Sequence, residues 1–184
     1  MKKIYLFSFI LFTTLVSCQK KEGKVLQAQL DTLSINLSGI SLSSQVDSID
    51  LTKVSRLTRK EYNDLQLFKV KGLGGYEVSD LSMGQVLFSN NNGKILTVQV
   101  ITDGEITEFL LSYDKNGDLQ DDLLVAYEDM VEYYSEISSK IRSKEIVVQT
   151  INYTYGGDED NQSETSDTAF VKYQITPDFK FVMD

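Results

Sequence analysis

Val86-Leu87-Phe88, Asn91-Asn92-Gly93, Ile95 to Ile101, Thr102-Asp103-Gly104, Ile106 to Tyr113, Asp114-Lys115-Asn116-Gly117 and Leu119 to Tyr127 follow one another with at most two residues between them. Ile95 to Ile101 carries alternating polar residues. That is the period of a half-buried strand. Asn-Gly and Asp-Gly between such runs are strong hairpin signals, because tight hairpin turns need positive φ. Three such turns at close spacing predict an antiparallel meander. The fold class read from the sequence is therefore mainly β, with α+β as the alternative, and with one or two short helices.

The pattern extends in both directions. Toward the C-terminus, Glu145 to Tyr155 reads as a strand by its Ile, Val, Thr and Tyr content. Ala169 to Thr176 is expected to pair with it, and Phe179 to Met183 closes the domain after Pro177-Asp178. Between these strands, Gly156 to Asp167 is acidic and rich in Ser and Thr, and it predicts a long solvated loop. Residues 128–142 are ambiguous. Met130, Tyr133, Tyr134, Ile137 and Ile141 fit one face of a helix, so a short helix is favoured over a strand interrupted at Ser138-Ser139.

Toward the N-terminus, Thr58-Arg59-Lys60-Glu61 fits a capping box. The helix it opens carries Tyr62, Leu65 and Phe68 or Lys69 on one face and stops before Gly72. Gly72-Leu73-Gly74-Gly75 lacks the Lys-Ser/Thr of a phosphate loop and reads as a turn. Leu33, Ile35, Leu37, Ile40 and Leu42 alternate with polar or small residues and predict a further strand. A second short strand is expected near Val46 to Val54.

The chain has 184 residues, a net charge of −9, one cysteine, no histidine and no tryptophan. A Ser-His-Asp or Cys-His centre cannot be built from it, and the commonest metal ligand is missing. Ser-Lys and paired-carboxylate mechanisms remain open by composition. An acidic chain repels phosphate backbones, so nucleic acid is not an expected partner. With one cysteine, no disulfide can form within the chain.

Asp114-Lys115-Asn116-Gly117-Asp118 starts like a calcium loop. Leu119 stands where that loop needs glycine and Val125 where it needs glutamate, so a hairpin turn is expected and no metal site. The acidic run Gly156 to Asp167 has no spacing that specifies a cage. Glu105 with Glu108, and Asp121 with Asp122, are carboxylate pairs expected at solvent-exposed positions. Asp121 and Asp122 should point to opposite faces of one strand. No catalytic residue and no cofactor is assigned.

The first residues set the compartment. Lys2-Lys3 is a short positive head, Ile4 to Val16 is almost wholly apolar, and Ser17 precedes Cys18. That order is a secretory signal, too short for a bilayer span of about 20 residues. Leu15-Val16-Ser17-Cys18 resembles the bacterial lipobox. The resemblance implies cleavage between Ser17 and Cys18, lipidation of Cys18, and anchoring in the membrane through that lipid. Two or three acyl chains at about 0.8 kcal/mol per buried methylene would hold a protein essentially permanently. Residues 1–17 are then the signal, 18–30 the lipidated cysteine and tether, and 31–184 a single β-rich domain.

Three tripeptides, Asp31-Thr32-Leu33, Asp47-Ser48-Ile49 and Asp167-Thr168-Ala169, resemble the O-glycosylation site of exported Bacteroidetes proteins. The resemblance implies glycosylation at Thr32, Ser48 and Thr168. The chain is also similar in style to uncharacterised lipoproteins of that group. The similarity is carried by Tyr113-Asp114-Lys115-Asn116-Gly117, Ile137-Ser138-Ser139-Lys140-Ile141 and Tyr173-Gln174-Ile175-Thr176-Pro177-Asp178-Phe179-Lys180-Phe181-Val182. It implies an outer-membrane lipoprotein facing the periplasm or the cell surface. Gln19-Lys20-Lys21-Glu22 matches the surface-export signal of the group in part. The expected role is a non-catalytic binding module for an envelope protein or glycan. The alternatives are an inhibitor of an envelope-attacking lysozyme or protease, and a carboxylate or Ser-Lys hydrolase.

Overall fold

The computed structural model describes residues 40–43, 54–129, 134–156 and 163–184. The signal segment, Cys18, the tether and the expected strands over 33–39 and 46–53 lie outside the described residues. The described chain runs β1 (Ile40–Ser43), α1 (Arg59–Asp64), three single 3-10 turns (Leu67–Lys69, Lys71–Leu73, Val78–Asp80), then β2 (Leu81–Asn90), β3 (Gly93–Ile101), β4 (Glu105–Asp114), β5 (Leu119–Asp129), β6 (Ser135–Arg142), β7 (Glu145–Gly156), β8 (Ser163–Ile175) and β9 (Phe181–Met183). The fold is mainly β. β2 to β9 form one antiparallel meander in sequence order, and β1 pairs with β6 outside that path.

The three hairpin turns fall where the sequence places them. Asn90 Oδ1 accepts from the backbone of Asn92 and Gly93. Thr102 Oγ1 accepts from Gly104 and Glu105. Asp114 Oδ1 accepts from Asn116 and Asp118. Each side chain satisfies turn N–H groups that strand pairing leaves over. Positive φ, expected at Gly93, Gly104 and Gly117 alike, is found only at Gly117 (85°) among the described glycines. Gly93 has a different reason to be glycine. A Cβ there would lie 2.3 Å from the Tyr113 carbonyl oxygen and 2.7 Å from the Phe179 ring.

The capping box forms as expected, with Thr58 and Glu61 bonded reciprocally. The helix is shorter than expected and ends at Asp64. Gln66 turns left-handed (φ 54°), and 3-10 turns follow. Leu67, Val70 and Leu73 are buried while Phe68 is 61% exposed. Apolar residues three apart share a face in 3-10 geometry, with three residues per turn, better than in an α-helix.

Two further expectations are corrected. Residues 135–142 are a strand, with no helix and no break at the serines. Ser138 and Ser139 pair with Gln149 and Val148 of β7. The Ser139 hydroxyl donates to the Val125 carbonyl oxygen at 2.6 Å. Likewise, the acidic run is only partly a connection. β7 continues to Gly156 and β8 starts at Ser163, so Ser163 to Asp167 pair with Asn152 to Gly156. Backbone pairing needs no apolar side chain, so polarity alone did not exclude a strand.

The sheet packs on both faces. Leu57, Leu65, Leu67, Val70 and Leu73 cover one face of β2–β4, against Leu96, Val98, Val100, Phe109, Leu111 and Tyr113. A second cluster draws on every strand from β2 to β9, from Phe88 through Leu110 and Val125 to Phe181. β3 and β4 are thus buried on both sides, where the alternation in Ile95 to Ile101 had predicted half-burial of β3. Seven strand spacings of about 4.8 Å would put β2 roughly 34 Å from β9 in a flat sheet. Instead the rings of Phe88 and Phe179 lie 6.1 Å apart, and the Phe181 N–H donates to Asp121 Oδ2 in β5 at 2.8 Å. The sheet therefore curls around the second cluster.

Candidate binding surface

Of the residues marked by sequence, Ser17, Cys18, Thr32 and Ser48 lie outside the described residues. Thr168 sits in β8 opposite Ile151 and is exposed. It belongs to a paired strand, next to the stretch where a loop was expected. The Asp114 turn is a hairpin. Its carboxylate is held low by backbone N–H groups, Asp118 foremost, and by the Asn116 side chain. Among the described residues, no three His, Cys, Asp or Glu side chains gather as a metal site.

The carboxylate pairs separate. Glu105 and Glu108 occupy opposite faces of β4, because their spacing is odd. Glu105 accepts a hydrogen bond from the Tyr76 hydroxyl. Burial, and then the Glu105 carboxylate, push that hydroxyl up to about 12. Glu108 was expected in solvent but is 4% exposed. It lies in a cross-strand row Ser82, Gln99, Glu108, Ala126 over β2 to β5. Burial raises its carboxyl, opposed by hydrogen bonds to Thr97 and Gln99. Glu108 Oε1 and Ser82 Oγ are buried without a partner among the described residues. The row places no second carboxyl beside Glu108, as two-carboxylate hydrolysis would require. Asp121 and Asp122 divide as expected. Asp121 takes the Phe181 N–H, while Asp122 has its carboxyl raised by burial and by Asp121, with Lys71 opposing.

The surface that collects exposed aromatic side chains is on β6 to β8. Ile146 and Val148 of β7 point into the core, so the alternate residues, Val147 to Tyr155, point outward. β6 pairs with β7 from Arg142 only as far as Ser135, opposite Asn152, and the Tyr134 carbonyl adds one bond from Tyr153. Beyond that, among the described residues, β7 and β8 stay paired as far as Gly156 and Ser163. Residues 165–170 of β8 are all exposed. Tyr134 is 53%, Tyr155 50% and Phe170 63% exposed. The Tyr134 and Tyr155 rings lie 6.3 Å apart, and the Tyr153 hydroxyl donates to Glu136 at 3.3 Å. This surface was not marked by any motif in the sequence. The alternation of Tyr153 and Tyr155 around Thr154 signals one shared face, but pairing is needed to show that this face is turned outward.

Comparison of the chain with known protein families, with curated proteins and with solved structures finds no match in any of the three. Among the described residues no helix is long and apolar enough to cross a membrane, which does not bear on a lipid anchor.

Proposed function

We propose that the chain is an outer-membrane lipoprotein, anchored through a lipid on Cys18, whose β domain is a non-catalytic binding module of the cell envelope. The anchor rests on the order Lys2-Lys3, apolar run, Leu15-Val16-Ser17-Cys18. The observation that carries the binding role is the ribbon of β7 and β8 with its exposed Tyr155 and Phe170. Exposed aromatic side chains are the groups that most often dominate binding energy. The absence of histidine and the separation of Glu105 from Glu108 count against catalysis.

A second reading, an inhibitor that inserts a rigid element into an envelope-attacking enzyme, draws on the same ribbon. Fractionation of cells expressing Cys18→Ser tests the anchor: the variant should stay unprocessed, and a chain cleaved normally and still held by lipid would sink the reading. Exposure of the full chain to a lysozyme and to a serine protease separates the two roles. Stoichiometric loss of enzyme activity would favour the inhibitor.

A further inference from the structure

We propose that the free edge of β8 takes up an extended segment of a partner polypeptide as an added strand, with a lysine or arginine of that segment opposite Asp167. The inference deepens the binding role proposed above and rests on it.

The two sides of β8 are paired unequally. β7 runs along it from Glu145 opposite Gln174 to Gly156 opposite Ser163, without a register shift. β9 covers the other side only at Tyr173, Gln174 and Ile175, and the Asp184 N–H adds one bond to the Lys172 carbonyl oxygen. The Ile175 N–H donates to Lys144, on the β7 side. Every second residue of β8 therefore bonds to β7, and Ser166, Thr168 and Phe170 direct their backbone N–H and C=O groups the other way. Among the described residues nothing pairs with these groups, and residues 165–170 are all exposed. The opposite edge of the sheet is guarded. β2 carries two register shifts, and Arg56 and Leu57 bond along its start. Bulges and cover of this kind keep an edge from recruiting strands. From Thr165 to Val171, β8 has no bulge, proline, lysine or arginine.

In strand addition, main-chain hydrogen bonds supply affinity and alternate side chains supply specificity. The charged residue in Thr165 to Val171 is Asp167, and the facing stretch of β7, Val148 to Thr154, has no charge. A cation directly across from Asp167 is favourable. β7 and β9 both run antiparallel to β8, and an added strand on the β9 side takes the same direction. In that direction the residue facing Phe170 precedes the residue facing Asp167 by three positions, and the two lie on opposite faces. Phe170 is exposed, so an apolar residue facing it removes apolar surface from water. A second copy of the chain fits this edge less well. Antiparallel pairing centred on Asp167 sets two carboxylates directly opposite, which is unfavourable. Pairing centred on Thr168 drives residue 164 of the copy into the place of Asp184, beside Lys172.

The test uses the full chain in neutral detergent micelles. The probe is a fluorescein-labelled, threonine-rich peptide of eight residues with phenylalanine second and lysine fifth, and a matching peptide has glutamate in place of the lysine. Fluorescence anisotropy should show saturable binding of the lysine peptide, and binding of the glutamate peptide weaker by about fivefold. Asp167→Lys should reverse that order. Thr168→Pro removes an N–H that faces the added strand and not β7, so the fold should survive while binding falls by about tenfold. Circular dichroism checks that both variants are folded, and Asp167→Lys carries the test if the proline variant is not. In amide hydrogen exchange the lysine peptide should protect Ser166, Thr168 and Phe170, which exchange fast in the free chain. No saturable binding of either peptide, or equal binding of both by the parent and by Asp167→Lys, would overturn the proposal. So would protection of the three amides in the free chain at any concentration, which would mean a covered edge. Protection that grows with chain concentration would assign the edge to a second copy and overturn it too. Membrane retention through Cys18 and the enzyme assays above are read separately, so a covered edge would leave the binding role of the domain standing.

Discussion

The buried hydroxyl of Tyr113 donates to the backbone carbonyl oxygen of Leu65 at 2.8 Å. This bond joins the middle of the meander to the end of α1, and Leu65 and Tyr113 belong to the same apolar cluster. Tyr113 is completely buried, and burial raises its hydroxyl well above the ordinary value. Tyr113→Phe leaves the ring in place but orphans the carbonyl. Urea unfolding should show a loss of about 1–3 kcal/mol. No loss would mean that water reaches Leu65 and that the helical cover is loosely seated.

Two glycines should respond to alanine for different reasons. At Gly93 the added methyl meets the Tyr113 carbonyl oxygen, a backbone atom that cannot swing away. At Gly117 nothing lies within 4 Å, and the only cost is the left-handed backbone. Gly93→Ala should cost about 2 kcal/mol or more, and Gly117→Ala about 1 kcal/mol. Thermal melts in parallel would check the order, and a reversed order would contradict the close approach at Gly93.

Glu108 should make stability depend on pH. Its carboxyl is raised in the folded state by burial. The neutral form is therefore the one the fold prefers. The stabilisation is complete below the unfolded value of about 4.3 and is lost as pH rises through the raised folded value. Glu108→Gln removes the charge without removing the shape. The variant should resist urea better than the parent at pH 7, and the advantage should vanish near pH 3. A variant weaker than the parent at pH 7 would show that the carboxylate is ionised and paired.

Ser139→Ala should cost about 1 kcal/mol, because the Val125 carbonyl oxygen loses its buried hydroxyl donor. Hydrogen exchange would locate the loosening at the junction of β5 and β6. Among the described residues, the register pairs there are Tyr127 with Ile137 and Glu128 with Glu136. Uniform loosening over the whole sheet would instead mark Ser139 as part of the common core.

The meander from Phe88 to Tyr127 and the capping box at Thr58 are legible in the sequence because each rests on residues a few positions apart. Asn90, Thr102 and Asp114 cap their own turns, and Thr58 and Glu61 meet across one helical turn. Residues 135–142 were not legible, since Ile137 and Ile141 satisfy a helical and a strand period at once. Pairing with β7, which is supplied from elsewhere in the chain, decides between them. The aromatic surface was half legible. Period two groups Tyr153 with Tyr155 but is silent on which way the face turns.

The sequence by itself thus determined the hairpins that join β2 to β5, because local turn chemistry and nearest-neighbour pairing suffice for that part of the meander. Only the tertiary structure decided the curl that brings Phe179 onto Phe88, the burial of β3 and β4 on both faces, and the withdrawal of Glu108 from water. Each of these depends on contacts between segments distant in sequence. Burial is a property of what covers a residue, and a local pattern of apolar and polar side chains does not contain the identity of the cover.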